Sequence, residues 1–470
     1  MLVCIMLGAI LLGTLPYMIV SLCERDAEAE KEDNRLEREA MASILPPERI
    51  EEDVEGFALR ILCDKEAAEV FAAAGDTSTT LSANAAKRNE HLSVETGSAL
   101  LVTVTDDFVK TAKEDILSGD DRYNLYAADA AGSLSALLSA GYLADVSDSA
   151  YIRAEKAWFD GDIMDELSIY GGKYLISSST ADARSSAAAI VYNRSIADSV
   201  ELPFADGQTL VSLALAGEFT VETLLAASRA AYTVPTEEQR RLAESYGDGV
   251  FYGFGYGDED VFPLYFGAGG SFVLTEEDTL SIVSLSALRE CLSAVKTLTA
   301  DETATPNPYA FGEGAALFSV HKLSEIAKTR GTITNIGILP LPKRSAEDDY
   351  HSYIDLAHTT MLAIPQNASD KVKIEYLVSR MAFLSYGYIE PVLREQVTAG
   401  HADDERILSL IADSAACDLS ALFGYGDIGG LLADTLREGD GRLAIHYYNR
   451  KTLYEKALSI IEKRLVAEQE

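Results

Sequence analysis

Residues Phe311 to Pro342 read FGEGAALFSVHKLSEIAKTRGTITNIGILPLP. Phe311 and Gly314 mark a short glycine-bearing helix end, and an apolar run follows from Ala315 to Phe318. A polar stretch of helical spacing comes next, then a Gly331-Thr332 turn and a second apolar run closing on Ile338-Leu339-Pro340. Two apolar runs separated by a polar helix and bounded by glycine and proline predict a strand-helix-strand crossover. Units of this kind build parallel sheets covered by helices, so the stretch points to an α/β fold.

The same alternation extends upstream. Phe57 to Cys63 (FALRILC) has a strand pattern, Leu81 to Glu95 carries helical spacing, and Leu100 to Val104 (LLVTV) predicts a buried strand. Asp107 to Leu117 predicts a helix capped by its aspartate, Tyr123 to Ala127 a third strand, and Gly132 to Ser139 a helix stopped at Gly141. Downstream, His351 to Pro365 predicts a strand returning toward a hinge, and helices follow over Asp370–Tyr388, Asp403–Asp413 and Lys451–Ala467.

A chain of 470 residues with 48% apolar content holds more than one core, at about 150 residues per domain. Its net charge of −36 excludes nucleic acid and anionic membrane as partners of its surface, since both repel it over a Debye length of about 10 Å. The five cysteines, at 4, 23, 63, 291 and 417, show neither C-x-x-C nor zinc spacing. Residues 1–23 carry no charged side chain, the pattern of a secretory signal or membrane anchor, and residues 24–54 form a charged spacer with Pro46-Pro47. Cys23, after Val20-Ser21-Leu22, resembles a bacterial lipoprotein processing site, with leucine at position 22 where a small residue is usual.

Several words of the chain, in order, resemble the extracellular solute-binding proteins of family one, capture subunits of ABC importers. Phe311, Gly314, Ala316 and Phe318 match F-x-x-G-x-A-x-F, and Gly337, Ile338, Pro340 and Pro342 match G-I-x-P-x-P. Ala85, Arg88 and Asn89 resemble the A-x-x-R-N helix of a clostridial branch, and Trp158-Phe159-Asp160 its aromatic pair followed by aspartate. Tyr192-Asn193-Arg194 resembles the strand that begins the second lobe, and Gly217-Glu218-Phe219-Thr220 the G-x-W-T element, with Phe219 for tryptophan. The resemblance spans about residues 55 to 440. It implies a periplasmic-binding-protein-like type II fold, two α/β lobes joined by hinge strands with a ligand cleft between them. The expected extents are 55–173 with 312–364 for lobe 1, 174–311 with 365–440 for lobe 2, and 441–470 for a C-terminal helix. The implied function is capture of a small polar solute, a sugar or oligosaccharide first of all, by a cell-surface monomer that delivers it to the transmembrane permease subunits.

No H-E-x-x-H, G-x-S-x-G or Walker motif occurs, and the six histidines stand singly. His351 and His358 fall on opposite faces of the expected strand and make no metal pair. No cofactor and no catalytic residue is expected. Strand ends and aromatic loops supply the candidate ligand contacts: Asp64, Asp129, Trp158, Asp160, Asp260, Phe262, Tyr265, His321 and Tyr353. Aromatic rings stack on apolar sugar faces, while carboxylates accept hydroxyl hydrogens. Asp64 and Asp129 fit helix caps equally well, and Trp158 and Phe262 fit a packed core. A single tryptophan among 23 tyrosines leaves a small polar or cationic solute open as the ligand. A secreted glycan hydrolase and a ligand sensor without transport remain alternatives on the same fold.

Overall fold

Ala316–Lys322 (ALFSVHK) forms a strand with its first five residues buried, as expected of a run apolar on both faces. A 3-10 turn, Leu323–Glu325, and a helix, Ile326–Thr332, carry the chain to a second buried strand, Ile336–Leu339. Before the first strand Gly314 turns the chain at φ 73°, a conformation that favours glycine. Gly337 lies under the Tyr192 ring, which a Cβ would meet at 2.4 Å. The strand-helix-strand reading of Phe311–Pro342 therefore holds. The computed structural model describes residues 45–50, 53–233, 252–276, 279–424 and 427–467. The expected signal or anchor over 1–23, Cys23 and most of the spacer lie outside the described residues. No helix among the described residues is long and apolar enough to cross a membrane.

Two sheets organise the body of the chain, Pro47–Ala154 with Trp158–Glu470, which packs as one unit. In the first, Ala58–Cys63 lies between Ala99–Val104 and Leu125–Asp129, all parallel, and Thr360–Ala363 adds an antiparallel strand beside Leu125–Asp129. In the second, Ala316–Lys322 is the middle strand. It runs parallel to Tyr252–Gly255, which continues to Ala304–Thr305, and antiparallel to Ala188–Asn193, which in turn pairs with Ile336–Leu339. Each sheet thus receives its antiparallel strand directly after the chain arrives from the other sheet.

This topology corrects the expected division. Residues 316–339 belong to the second sheet rather than to lobe 1, and the chain returns to the first sheet through the segment 354–360, within the expected returning stretch His351–Pro365. Ile176 and Leu362 exchange backbone hydrogen bonds of 2.8 and 3.0 Å, and Ala187 bridges Ile354, so the two crossing segments run antiparallel along each other. Lys371–Tyr388, expected in lobe 2, packs on the first sheet: Ile374, Leu377 and Met381 share a core with Leu59, Ile61 and Trp158. Helix Glu390–Thr398 then leads to Ala402–Asp413, whose Asp404 accepts the Ile338 N–H at 3.3 Å in the second sheet. An apolar run looks alike whichever sheet it joins, because its partners are distant in sequence.

Local signals account for the helices. Thr79 and Ser82 form a reciprocal capping box at Thr80–Thr96, which stops at Gly97 with φ 68°. Thr220 caps Val221–Ala231 by accepting the Thr223 N–H at 3.2 Å, as expected. Asp107 precedes Phe108–Ser118 but makes no capping bond, Thr105 having turned the chain there. Ala99–Val104 is not buried; it is the sheet's edge strand, with Leu101 54% exposed. The C-terminal helix, Leu443–Ala467, lies on the second lobe through Tyr447 and Tyr454, which pack against Phe272, and its Arg464 donates to the Ser139 carbonyl of the first.

Arg88, of the A-x-x-R-N helix, is fully buried without a carboxylate partner. Its guanidinium donates to Asn89 Oδ1, Ser385 Oγ and the Val70 carbonyl, tying three segments of the first lobe together. Burial draws its pKa down to about 9, which leaves it charged at pH 7.

Candidate functional site

A cavity of about 1030 Å³ opens where the second sheet meets the return crossing. Its floor is the end of Ala316–Lys322, with Ser319 to Lys322, and one wall comes from the turn Asp258–Asp260 and the helix Val261–Gly267. The crossing segment supplies Tyr353, Asp355 and His358, and the loops around Tyr309 and Asp427 form the rim. Among the described residues, no lining residue precedes Ala188 or falls within 360–388, so neither the first sheet nor the helix Lys371–Tyr388 lines this cavity.

Four of the nine expected ligand contacts line it: Asp260, Phe262, His321 and Tyr353. The Phe262 and Tyr353 rings meet edge to face at 5.0 Å, and Phe266 adds a second edge contact to Tyr353 at 5.4 Å. Asp260 is 8% exposed. Its Oδ2 accepts the Gly257 N–H at 2.7 Å, and burial pushes its carboxyl up to about 7 against that bond. His321 packs on Phe311 at 5.6 Å, and its buried Nε2 has no hydrogen-bond partner. Burial lowers its pKa, with Glu325 opposing, so the ring is neutral at pH 7.

The other five sit elsewhere. Asp64 accepts the Ala67 N–H at 2.8 Å and the Asp129 N–H at 3.0 Å, and Asp129 accepts from Gly132 and Ser133, so both carboxylates serve turns at the strand ends. Trp158 is 1% exposed in the first lobe's core, against Phe383 at 5.0 Å. Asp160 pairs with Arg184 of the first crossing and accepts from Ser177 Oγ at 2.6 Å. Tyr265 is buried and donates to the Ser271 carbonyl at 2.8 Å. In each case the core, a local backbone group or, for Asp160, the Arg184 and Ser177 side chains engage the candidate instead.

The sequence reading missed the centre of the site's charge. Lys322 Nζ lies 2.9 Å from Asp355 Oδ2, which is 2.8 Å from His358 Nδ1. Burial pushes the Asp355 carboxyl up, but the Lys322 bond and charge, with His358, hold it below the ordinary range. This joins the end of the middle strand to the crossing segment. Lys322 directly follows His321, and Asp355 lies two residues after Tyr353, so proximity to the named candidates was the available signal. His351 and His358 do not share a strand: His351 precedes Ser352–Tyr353 and packs on Phe266, while His358 ends the 3-10 turn Leu356–His358.

No protein-family model matches the sequence, and no curated protein matches it. Solved structures do. The chain is similar to the GacH receptor of Streptomyces glaucescens, solved unliganded and in complex with acarbose, at 14% identity and TM-score 0.52, over 86% of this chain and 99% of that one. It is similar to an ABC substrate-binding protein from Listeria monocytogenes in complex with cycloalternan, at 12% identity and TM-score 0.51, over 86% and 100%. It is also similar to a sugar transporter from Rhizobium etli in an open conformation, at 13% identity and TM-score 0.55, over 86% and 99%. The fold is periplasmic-binding-protein-like, type II. At these identities the likeness is one of architecture, with two α/β lobes joined by crossing segments.

Proposed function

We propose that this chain is the extracellular solute-binding subunit of an ABC importer, capturing a sugar or oligosaccharide by hinge closure and delivering it to the permease. The observation that carries the proposal is the cavity itself: aromatic edges from Phe262 and Tyr353 stand beside carboxylates, against the segment that links the lobes. Aromatic faces take the apolar side of a sugar ring, and carboxylates accept its hydroxyl hydrogens. Because Lys322 and Asp355 join the cavity floor to the crossing segment, a solute that engages them also engages the hinge. A ligand that contacts both lobes stabilises only the closed arrangement, and shifts the equilibrium by its differential affinity. Relatives in fold that bind acarbose and cycloalternan support a saccharide as the cargo.

The proposal extends to export, to tethering of a monomer at the outer membrane face through residues 1–23 with lipidation of Cys23, and to a purely binding role without turnover. A first lobe of the first sheet with Lys371–Tyr388, and a second of the other sheet with Ala402–Asp413, would close on the solute. A thermal-shift screen over mono- and oligosaccharides, with product analysis of each hit, tests it. Binding raises the melting temperature in proportion to RT ln(1 + [L]/Kd), and the sugar is recovered intact. Release of hydrolysis products, or no shift with any saccharide, overturns it.

A further inference from the structure

Six carboxylates line the cavity, from Glu259, Asp260, Glu313, Glu325, Asp355 and Asp427, against two lysines. Lys322 is committed to Asp355, and Lys328 lies exposed on the helix Ile326–Thr332. Asp260 is more than nine-tenths buried, and no ammonium or guanidinium of the described residues pairs with it. Only its Oδ2 is used, by the Gly257 N–H; its Oδ1 accepts no hydrogen bond. Burial disfavours the ionised carboxylate, and a cation set against it would favour that form. A neutral sugar offers the carboxyl hydrogen bonds but no charge. A metal ion fits poorly: among the described residues no three His, Cys, Asp or Glu side chains converge to hold one. The negative charge is spread along a cavity of about 1030 Å³ whose wall carries the Phe262 and Tyr353 rings, with the exposed Tyr309 at the rim.

We infer that the cavity takes a saccharide bearing a protonated amino group, with the ammonium set against Asp260 Oδ1 and the sugar ring beside Phe262 and Tyr353. This inference rests on the proposed solute-binding function and narrows its cargo. An ammonium here replaces the missing counter-ion, and its N–H groups donate to the free oxygen. The rim carboxylates Glu259 and Glu313 attract the cation before it enters.

The test is calorimetric titration of the full chain at pH 7 with β-1,4-linked glucosamine oligomers, their N-acetylated forms and cello-oligosaccharides, and with spermidine as a cation without a sugar ring. The glucosamine oligomers should bind about ten- to a hundredfold tighter than the other two saccharides. Asp260→Asn, which keeps an acceptor for the Gly257 N–H, should bring the three saccharides within about threefold of one another. Glu313→Gln, at an exposed rim position, keeps folding out of question and should weaken only the amino form. Equal or tighter binding of the neutral saccharides overturns the inference and leaves the solute-binding function standing. Binding of spermidine with no saccharide bound, or no binding of the glucosamine oligomers, also overturns the inference.

Discussion

Glu166 ends the helix Gly161–Glu166 of the first lobe, and its carboxylate accepts the N–H of Cys417 at 2.6 Å. Cys417 follows Ala415–Ala416, which pairs with Ser352–Tyr353 at the edge of the cavity, so this bond spans from one lobe's helix to the other's hinge segment. Burial pushes the Glu166 carboxyl up to about 7 from 4.5, the Cys417 N–H opposes it, and Asp162 and Asp418 add to the rise. Between those two pH values the folded chain holds a proton that the unfolded chain has released. Glu166 therefore costs nothing below pH 4.5, costs progressively more as pH climbs to about 7, and costs a constant amount above it. At about 1.36 kcal/mol per pH unit the full loss comes to about 3 kcal/mol. Glu166→Gln keeps the acceptor and the size and removes the titration. Urea unfolding of the native and substituted chains from pH 4.5 to pH 8, followed by emission of the sole tryptophan, Trp158, reads the first lobe's transition. The variant should match the native chain at the acid end and exceed it by about 3 kcal/mol at the alkaline end. Parallel stability curves, or a variant that loses ground as pH rises, refute the reasoning.

Two further outcomes follow from the packing. Asp404 is fully buried and accepts from Arg194 at 2.5 Å, Arg330 at 2.9 Å and the Ile338 N–H, so Asp404→Ala strands two guanidinium groups and should cost about 3 to 5 kcal/mol by chemical denaturation. A cost below about 1 kcal/mol would show that water replaces the carboxylate. Trp158 sits away from the cavity, so a saturating saccharide should leave its emission maximum in place while the melting temperature rises; a ligand-induced spectral shift would mean that solute reaches the first lobe's core.

The chain's class was legible because its signals are local. Gly314 needs its turn, Thr79 and Thr220 sit where helices begin, and polar helices separate apolar runs, so alternating strands and helices follow from neighbouring residues alone. Sheet membership was not legible, since Ala316–Lys322 gains its partners from Ala188–Asn193 and Tyr252–Gly255, far away in sequence. The site divides in the same way. Phe262 and Tyr353 line the cavity because aromatic residues near glycine loops or returning strands face cavities or cores, and here they do both. Trp158 and Asp64 do not line the cavity, because the core and two backbone N–H groups hold them elsewhere. Lys322 and Asp355 were missed because an ion pair has no sequence signature when its halves lie 33 residues apart.

The outermost strand of the first sheet, Ala99–Val104, presents an unpaired flank with Leu101 and Val104 bare to solvent. Such a flank is a seam along which two copies can stitch strand to strand. What parts them is the chain's own −36 charge, which repels every approaching copy across the screening distance. Colloidal behaviour should therefore depend on ionic strength: repulsion between copies is strongest in dilute buffer and fades in concentrated salt, where that distance shrinks to about 3 Å and the aliphatic seam loses its guard.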